Sequence, residues 1–211
     1  MSNHLFALHD QGGEHLITDA GKTGWVIFAE KVGDDPNDHG GKNFNTRNGI
    51  GAICRLAFGW YGEGNIPESS RYERFAQRCA NYVAASQGCN RWIVGNEMNL
   101  ANERGVLPNG QGQVITPDLY AKCFGMVRDR IKAVQPASEV IIGGVAPWNN
   151  QTAYPGNESG DWVKYYVDTL NAIGSGKIDG IALHTYTHGR DTNLIYSDAR
   201  MGSPFDKRFY N

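Results

Sequence analysis

Six short apolar runs punctuate the chain, at residues 5–8, 25–29, 50–57, 92–94, 140–145 and 178–183. Several are nearly unbroken in apolar residues, the pattern of strands covered on both faces. Between them the apolar period lengthens to that of a helix. Tyr72, Phe75, Ala76, Cys79 and Val83 share one helical face, and Ser70 followed by Glu73 reads as a capping box at its start. Thr116-Pro117 supplies an N-cap and a first-turn proline for a stripe of Tyr120, Cys123, Phe124, Val127, Ile131 and Val134, which Pro136 ends. Trp162, Tyr165, Tyr166, Leu170 and Ile173 mark a third helix, closed by Gly174. Residues 11–23 and 33–49 read mostly as loop, with at most a helical turn.

Alternating strands and helices predict an α/β protein with a parallel sheet, either closed into a barrel or open and doubly wound. Neither the dinucleotide nor the phosphate-loop glycine fingerprint occurs. Polar or aromatic groups recur instead just past each run: His9-Asp10, Glu30-Lys31, Trp60-Tyr61-Gly62-Glu63, Asn96-Glu97, Trp148-Asn149 and His184-Thr185-Tyr186. Chemistry gathered at one end of every strand favours a TIM-type β/α barrel, whose active site is assembled there. About six of the eight βα units are legible, in a single domain over residues 1–211.

Composition narrows the partners. With 40% hydrophobic residues, 20% charged and a net charge of -2, the chain can bury a core and carries no basic footprint for nucleic acid or an anionic membrane. No stretch approaches the roughly 20 apolar residues of a membrane span. The start Met-Ser-Asn-His-Leu-Phe does not read as a signal peptide, which leaves the compartment open, a secreted parent included. Cys54, Cys79, Cys89 and Cys123 lack metal-site or redox spacing and read as buried free thiols, although Cys79 and Cys89 are close enough in sequence to bridge. No cofactor is implied.

The most informative stretch is Arg-Trp-Ile-Val-Gly-Asn-Glu-Met-Asn at residues 91–99. It delivers an amide and a carboxyl side by side at a strand exit. Cleaving a glycosidic bond calls for a carboxylic acid to protonate the leaving oxygen and a donor to the neighbouring sugar hydroxyl. This fourth run, together with a sixth ending Gly-Ile-Ala-Leu-His-Thr-Tyr-Thr, resembles clan A of the glycoside hydrolases, (β/α)8-barrel retaining enzymes. The likeness covers residues 4–189 in element order, and only the two strand-end motifs are specific. It implies Glu97 as general acid/base and Asn96 as the ligand of the sugar 2-hydroxyl. It implies that His184 and Tyr186 line the subsite near the nucleophile. Arg55 takes the part of the arginine that the clan keeps near its catalytic carboxylate, though on the third strand rather than the second. Trp60 and Trp148 are sugar-stacking candidates, because an aromatic face packs on the C–H surface of a pyranose.

The clan's nucleophile is a second Glu at the end of strand seven, and residues 190–211 show no further strand. Eight-stranded barrels typically need about 250 residues. The favoured expectation is a piece of a larger hydrolase, completed by missing C-terminal sequence. The alternative is a self-contained variant in which Glu63, Glu30 or Asp10 supplies the second carboxylate. Two open parallel edges would also promote self-association. A non-catalytic carbohydrate-binding domain on the same scaffold is the competing function. Metal-dependent hydrolysis through His9, Asp10, Glu97 and His184 is a weaker third, with no metal-ligand spacing behind it.

Overall fold

The computed structural model describes residues 6–46, 49–185 and 189–203. Its core is one sheet of six parallel strands, β1 Phe6–His9, β2 Gly24–Lys31, β3 Ile50–Ala57, β4 Arg91–Val94, β5 Glu139–Ile142 and β6 Gly180–Ile181, hydrogen-bonded in chain order. A parallel sheet wound in one direction is the arrangement of a β/α barrel, not of a doubly wound sheet, in which the order reverses. Among the described residues four α-helices accompany it: α1 Glu14–Thr18, α2 Tyr72–Ala85, α3 Pro117–Val134 and α4 Trp162–Ile173. Among the described residues β1 and β6 each pair on one side only.

The strands differ from expectation on one face. Their burial alternates: Val26 and Phe28, Ala52, Cys54 and Leu56, Trp92 and Val94, Val140 and Ile142 are buried, while the residues between them are half-exposed. The first set meets α2, α3 and α4, which pack side by side. The second set lines the concave face, while on the helix side the cover fails at β6, where Ile181, in register with buried Ile142, and Leu183 two residues on remain 47% and 58% exposed. That concave face is not bare throughout. At its N-terminal end the Trp25 ring lies across Gly51, where a Cβ would stand 2.2 Å from the ring, and Arg91 sits over the same ring at 4.3 Å. Glu139 holds Arg91 at 2.7 Å. These residues fill the bottom of the arc as a layer of side chains fills a barrel interior.

Helix α3 begins as expected, with the Thr116 hydroxyl accepting from Leu119 N–H and Pro117 in the first turn, and α4 ends at Gly174, whose φ is 82°. The capping box does not form. Ser70 lies in a 3-10 turn, Ser69–Arg71, whose N-cap is Glu68, and α2 starts at Tyr72 without a side-chain cap. The carboxylate of Glu68 accepts from the amide and the hydroxyl of Ser70, which leaves that hydroxyl engaged one turn early.

The described residues between 33 and 49 carry no helix, yet they cover the outer face of β2. Arg71, Arg74 and Arg78 recur at helical spacing and grip this loop. Asp34 pairs with Arg71 at 2.6 Å and Arg74 at 3.3 Å, and buried Arg78 donates to the carbonyls of Val32 and Gly40. Phe44, 2% exposed, then packs edge-on against Phe28 at 4.9 Å and Trp92 at 5.8 Å. All four cysteines are buried free thiols.

One side chain decides how β4 and β5 part. The buried Tyr120 hydroxyl of α3 donates to the Val94 carbonyl at 2.8 Å and accepts from Gly143 N–H at 2.9 Å. It stands within the ladder at the strand ends, satisfying two backbone groups that would otherwise be buried unpaired. Tyr120→Phe is therefore expected to destabilise the protein by about 1–3 kcal/mol, the cost of leaving such groups unsatisfied. Urea unfolding measures this, and an unchanged midpoint would show that the hydroxyl is dispensable.

Candidate active site

Past β4 the chain turns at Gly95 and brings Glu97 into left-handed backbone, φ 50°. Only three non-glycine residues among those described have positive φ: Asp10, Glu97 and Trp148. They follow β1, β4 and β5 at the same end of the sheet. Such conformations cost of order 1–3 kcal/mol each and persist where the surroundings enforce them. Around Glu97 the enforcement is visible. Its N–H donates to Gly144 O at 2.7 Å, and its carbonyl accepts from Leu100 N–H at 2.8 Å. Met98 is fully buried beside it. Asn99, also buried, exchanges two 2.8 Å hydrogen bonds with the backbone of Ala146, and its carbonyl accepts from the Thr152 hydroxyl at 2.7 Å. The β4 exit is thereby tied to the β5 exit on either side of the carboxylate.

The two motifs that drew attention in the sequence meet in space. His184 Nδ1, past β6, lies 2.9 Å from Glu97 Oε1, with the side chains 26% and 19% exposed. The pair is sheltered but reachable. Gly144 makes the approach possible, because a Cβ there would stand 2.9 Å from the imidazole Cδ2. Beneath His184 the backbone is held by Ala182 N–H on Ile142 O at 2.9 Å and by the Tyr166 hydroxyl on Ala182 O at 2.8 Å.

Arg55, half-buried on the concave face of β3, sits within the electrostatic reach of Glu97 and of a second carboxylate, Glu103. Burial pulls its guanidinium below the usual range, against the charges of Glu103 and then Glu97. Its Nε is buried without a hydrogen-bond partner among the described residues. Glu103 ends a short 3-10 turn, Ala101–Glu103, in the loop after β4. Burial lifts its carboxyl above the usual range, the Asn65 amide acts against this by hydrogen bonding, and the Glu97 charge adds to it.

The other candidates separate. Trp60 is 41% exposed at the tip of a tight turn past β3, next to Tyr61 at 80%, so neither seals the sheet against its helices. Trp148 is half-buried and packs on Trp162 of α4, ring centres 6.1 Å apart. Asn96 is half-buried next to Glu97. Tyr186 lies outside the described residues. Glu30 does not follow a strand: it is within β2 and binds Lys42 at 2.5 Å. Glu63 is held by Lys31 at 2.6 Å and caps the Trp60 N–H at 3.0 Å. Asp10 forms an exposed pair with His9 at 3.0 Å. His9 and Asp10 thus pair with each other, as do Glu97 and His184, and no group of three or more metal-ligating side chains gathers among the described residues.

Sequence reasoning missed Glu103, Asn65 and Gly144. The signal for Glu103 was faint: a carboxylate six residues beyond Glu97 in a polar loop, where a 3-10 turn leaves no periodicity to read.

No protein-family model and no curated protein matches the chain. Among solved structures it is similar to a family 51 alpha-L-arabinofuranosidase from Bifidobacterium longum, at 16% identity and a TM-score of 0.45 over 83% of this chain and 38% of the other. It is also similar to a family 39 glycoside hydrolase from Bacteroides cellulosilyticus WH2, at 17% and 0.48, covering 84% and 37%. A GH53 catalytic domain from Ignisphaera aggregans gives 14% and 0.49, covering 88% and 55%. The chain spans roughly two fifths to just over half of their lengths.

The Glu63 clamp makes the Trp60 turn pH-sensitive. The Lys31 hydrogen bond holds the Glu63 carboxyl below its ordinary value, so the clamp is intact at neutral pH and is lost as pH falls through the lowered value. Acidification should therefore release the turn, seen as a change in the Trp60 indole NMR signal. Lys31→Met should move that transition to higher pH, and an unmoved transition would exclude the clamp.

Proposed function

We propose that this chain is a glycoside hydrolase-like domain acting on O-glycosidic bonds of a polysaccharide or oligosaccharide, with Glu97 as general acid/base. One observation carries the reading: a partly sheltered carboxylate, forced into left-handed backbone at the β4 exit, meets His184 of the β6 exit at 2.9 Å. Preorganised donors and acids at the C-terminal ends of barrel strands are where this fold keeps its chemistry.

In this reading Glu97 donates its proton to the glycosidic oxygen as the bond from that oxygen to the anomeric carbon breaks. It then takes a proton from the water that attacks the same carbon, so one water is consumed per bond cleaved. Asn96 binds the 2-hydroxyl of the sugar. His184 orients the carboxyl, and Arg55, Trp60, Trp148 and Tyr186 contribute to binding. The nucleophile of a retaining reaction is not assigned to any residue of this chain, since Glu30 and Glu63 are engaged by lysines and Asp10 by His9.

A second reading, carbohydrate binding without turnover, is favoured by the exposed Trp60-Tyr61 tip, whose two aromatic faces are open to a ligand. One experiment separates the two. Oligosaccharides are titrated against tryptophan fluorescence while release from alkyl and aryl glycosides is assayed, for the parent and for Glu97→Gln. Under the first reading the variant still binds but loses about 10²–10⁴-fold in kcat on a poor leaving group. Binding without turnover in both proteins supports the second reading. Hydrolysis unaffected by the substitution removes Glu97 from the chemistry.

A further inference from the structure

Asn99 has no part in the reading above, yet it is joined to both sides of the site. It is 1% exposed and sits inside the turn that follows Glu97, which Leu100 N–H closes on Glu97 O at 2.8 Å. Its amide pairs with the whole peptide backbone of Ala146: Nδ2 donates to Ala146 O and Oδ1 accepts from Ala146 N–H, each at 2.8 Å. A carboxylate could not make this pair, having nothing to donate. The carbonyl of the same residue accepts from the Thr152 hydroxyl at 2.7 Å. Asn99 therefore closes both ends of the loop 146–152, one end with its side chain and the other with its main chain.

Trp148 stands in that loop. Its backbone is left-handed at φ 52°, beside φ 50° at Glu97. Glu97 precedes Asn99 by two residues and Trp148 follows Ala146 by two, so the two strained positions flank one latch. An L side chain avoids this conformation unless its neighbours impose it. The loop between has little freedom of its own. Asn149 Oδ1 accepts from Gln151 N–H at 2.7 Å, and Gln151 Oε1 accepts from Ala101 N–H, just past Asn99, at 2.7 Å. The Trp148 ring is backed by Trp162 of α4, centre to centre 6.1 Å.

We propose that Asn99 is a positioning residue that makes Glu97 and Trp148 a single rigid unit, so that a sugar ring stacked on Trp148 meets the Glu97 carboxyl at a fixed offset. Proximity accelerates a reaction only when the reacting groups cannot drift apart. A stacking ring on a free loop would give affinity alone, whereas one latched to the carboxyl also sets the orientation of the bond to be cleaved. The use of this unit in hydrolysis rests on the acid/base reading of Glu97, and the latch itself does not.

The test therefore needs no turnover. Glycine and alanine substitutions are compared at Glu97, and again at Trp148, with and without the Asn99 side chain. Each pair loses the same groups beyond Cβ and differs in its tolerance of left-handed backbone. With Asn99 in place, Glu97→Gly should unfold at about half a molar more urea than Glu97→Ala, and Trp148→Gly likewise against Trp148→Ala. In the Asn99→Ala background both gaps should close or reverse, because a released backbone relaxes and the freer unfolded chain then counts against glycine. A role in folding alone would lower every midpoint and keep the gaps. In folded Asn99→Ala the Glu97 carboxyl-carbon and Trp148 indole NMR signals should both shift, while the Trp92 indole, bonded to Gln135 at 2.9 Å, stays in place. No gap with Asn99 present, a gap that persists without it at either position, or an unmoved Glu97 or Trp148 signal overturns the proposal. Should Asn99→Ala not fold, Thr152→Val takes its place, since it removes only the hydroxyl at the far end of the loop, and an unchanged gap at Trp148 then overturns the proposal. Hydrolysis unaffected by Glu97→Gln would remove the acid/base reading and leave the latch standing.

Discussion

The hydroxyl of Tyr120 stands where β4 and β5 would otherwise continue their ladder. By taking Val94 O and Gly143 N–H into its own two hydrogen bonds, it opens the strands by the width of one oxygen. The next backbone bond between them joins Glu97 to Gly144. That offset presents Glu97 at the sheet end in left-handed backbone, and it places Gly144 beneath His184. A helix residue on the outer face thus sets the geometry of a carboxylate at the strand ends. Backbone groups in a dry interior must be paired, so the insertion holds the strand exit with the stiffness of the core itself.

The remaining loops follow the same logic of polar groups tied down at close quarters. Arginines of α2 and of the turn before it hold the loop after β2, which lets Phe44 reach the core in place of a helix. Asn99 ties the β4 exit to the β5 exit, and Asn65 ties the β3 exit to the β4 exit. The result is a rigid rim around Glu97. On the concave side the Trp25–Arg91–Glu139 layer closes the bottom of the arc, while on the helix side Ile181 of β6 stays uncovered.

Much of this frame was legible in the residues. The β3 run coincides with its strand, and the Thr116-Pro117 and Gly174 signals mark helix ends correctly, because capping chemistry is local. The Ser70 signal failed because Glu68, two residues earlier, accepts from both the amide and the hydroxyl of Ser70 and caps the preceding turn. Apolar runs suggested strands buried on both faces. Hydropathy does not tell a residue facing a helix from one facing the inside of an arc, and only the former are fully buried. Glu30 and Glu63 looked like candidate carboxylates because each stands near a strand end. Lys42 and Lys31, from other segments, consume them.

The sequence by itself determined the succession of strands and helices and the delivery of Glu97 and His184 past strand ends, since these follow from periodicity and from where each apolar run stops, whereas the one-directional order of the sheet is a tertiary fact. Which side chains meet was decided only by the tertiary structure. The 2.9 Å approach of His184 to Glu97, the Tyr120 bridge and the Asn65 clamp on Glu103 join residues from 23 to 87 positions apart. No local pattern encodes such pairs. They exist because burying the helix-facing side of the sheet brings the strand ends together, and polar groups brought together there must find partners.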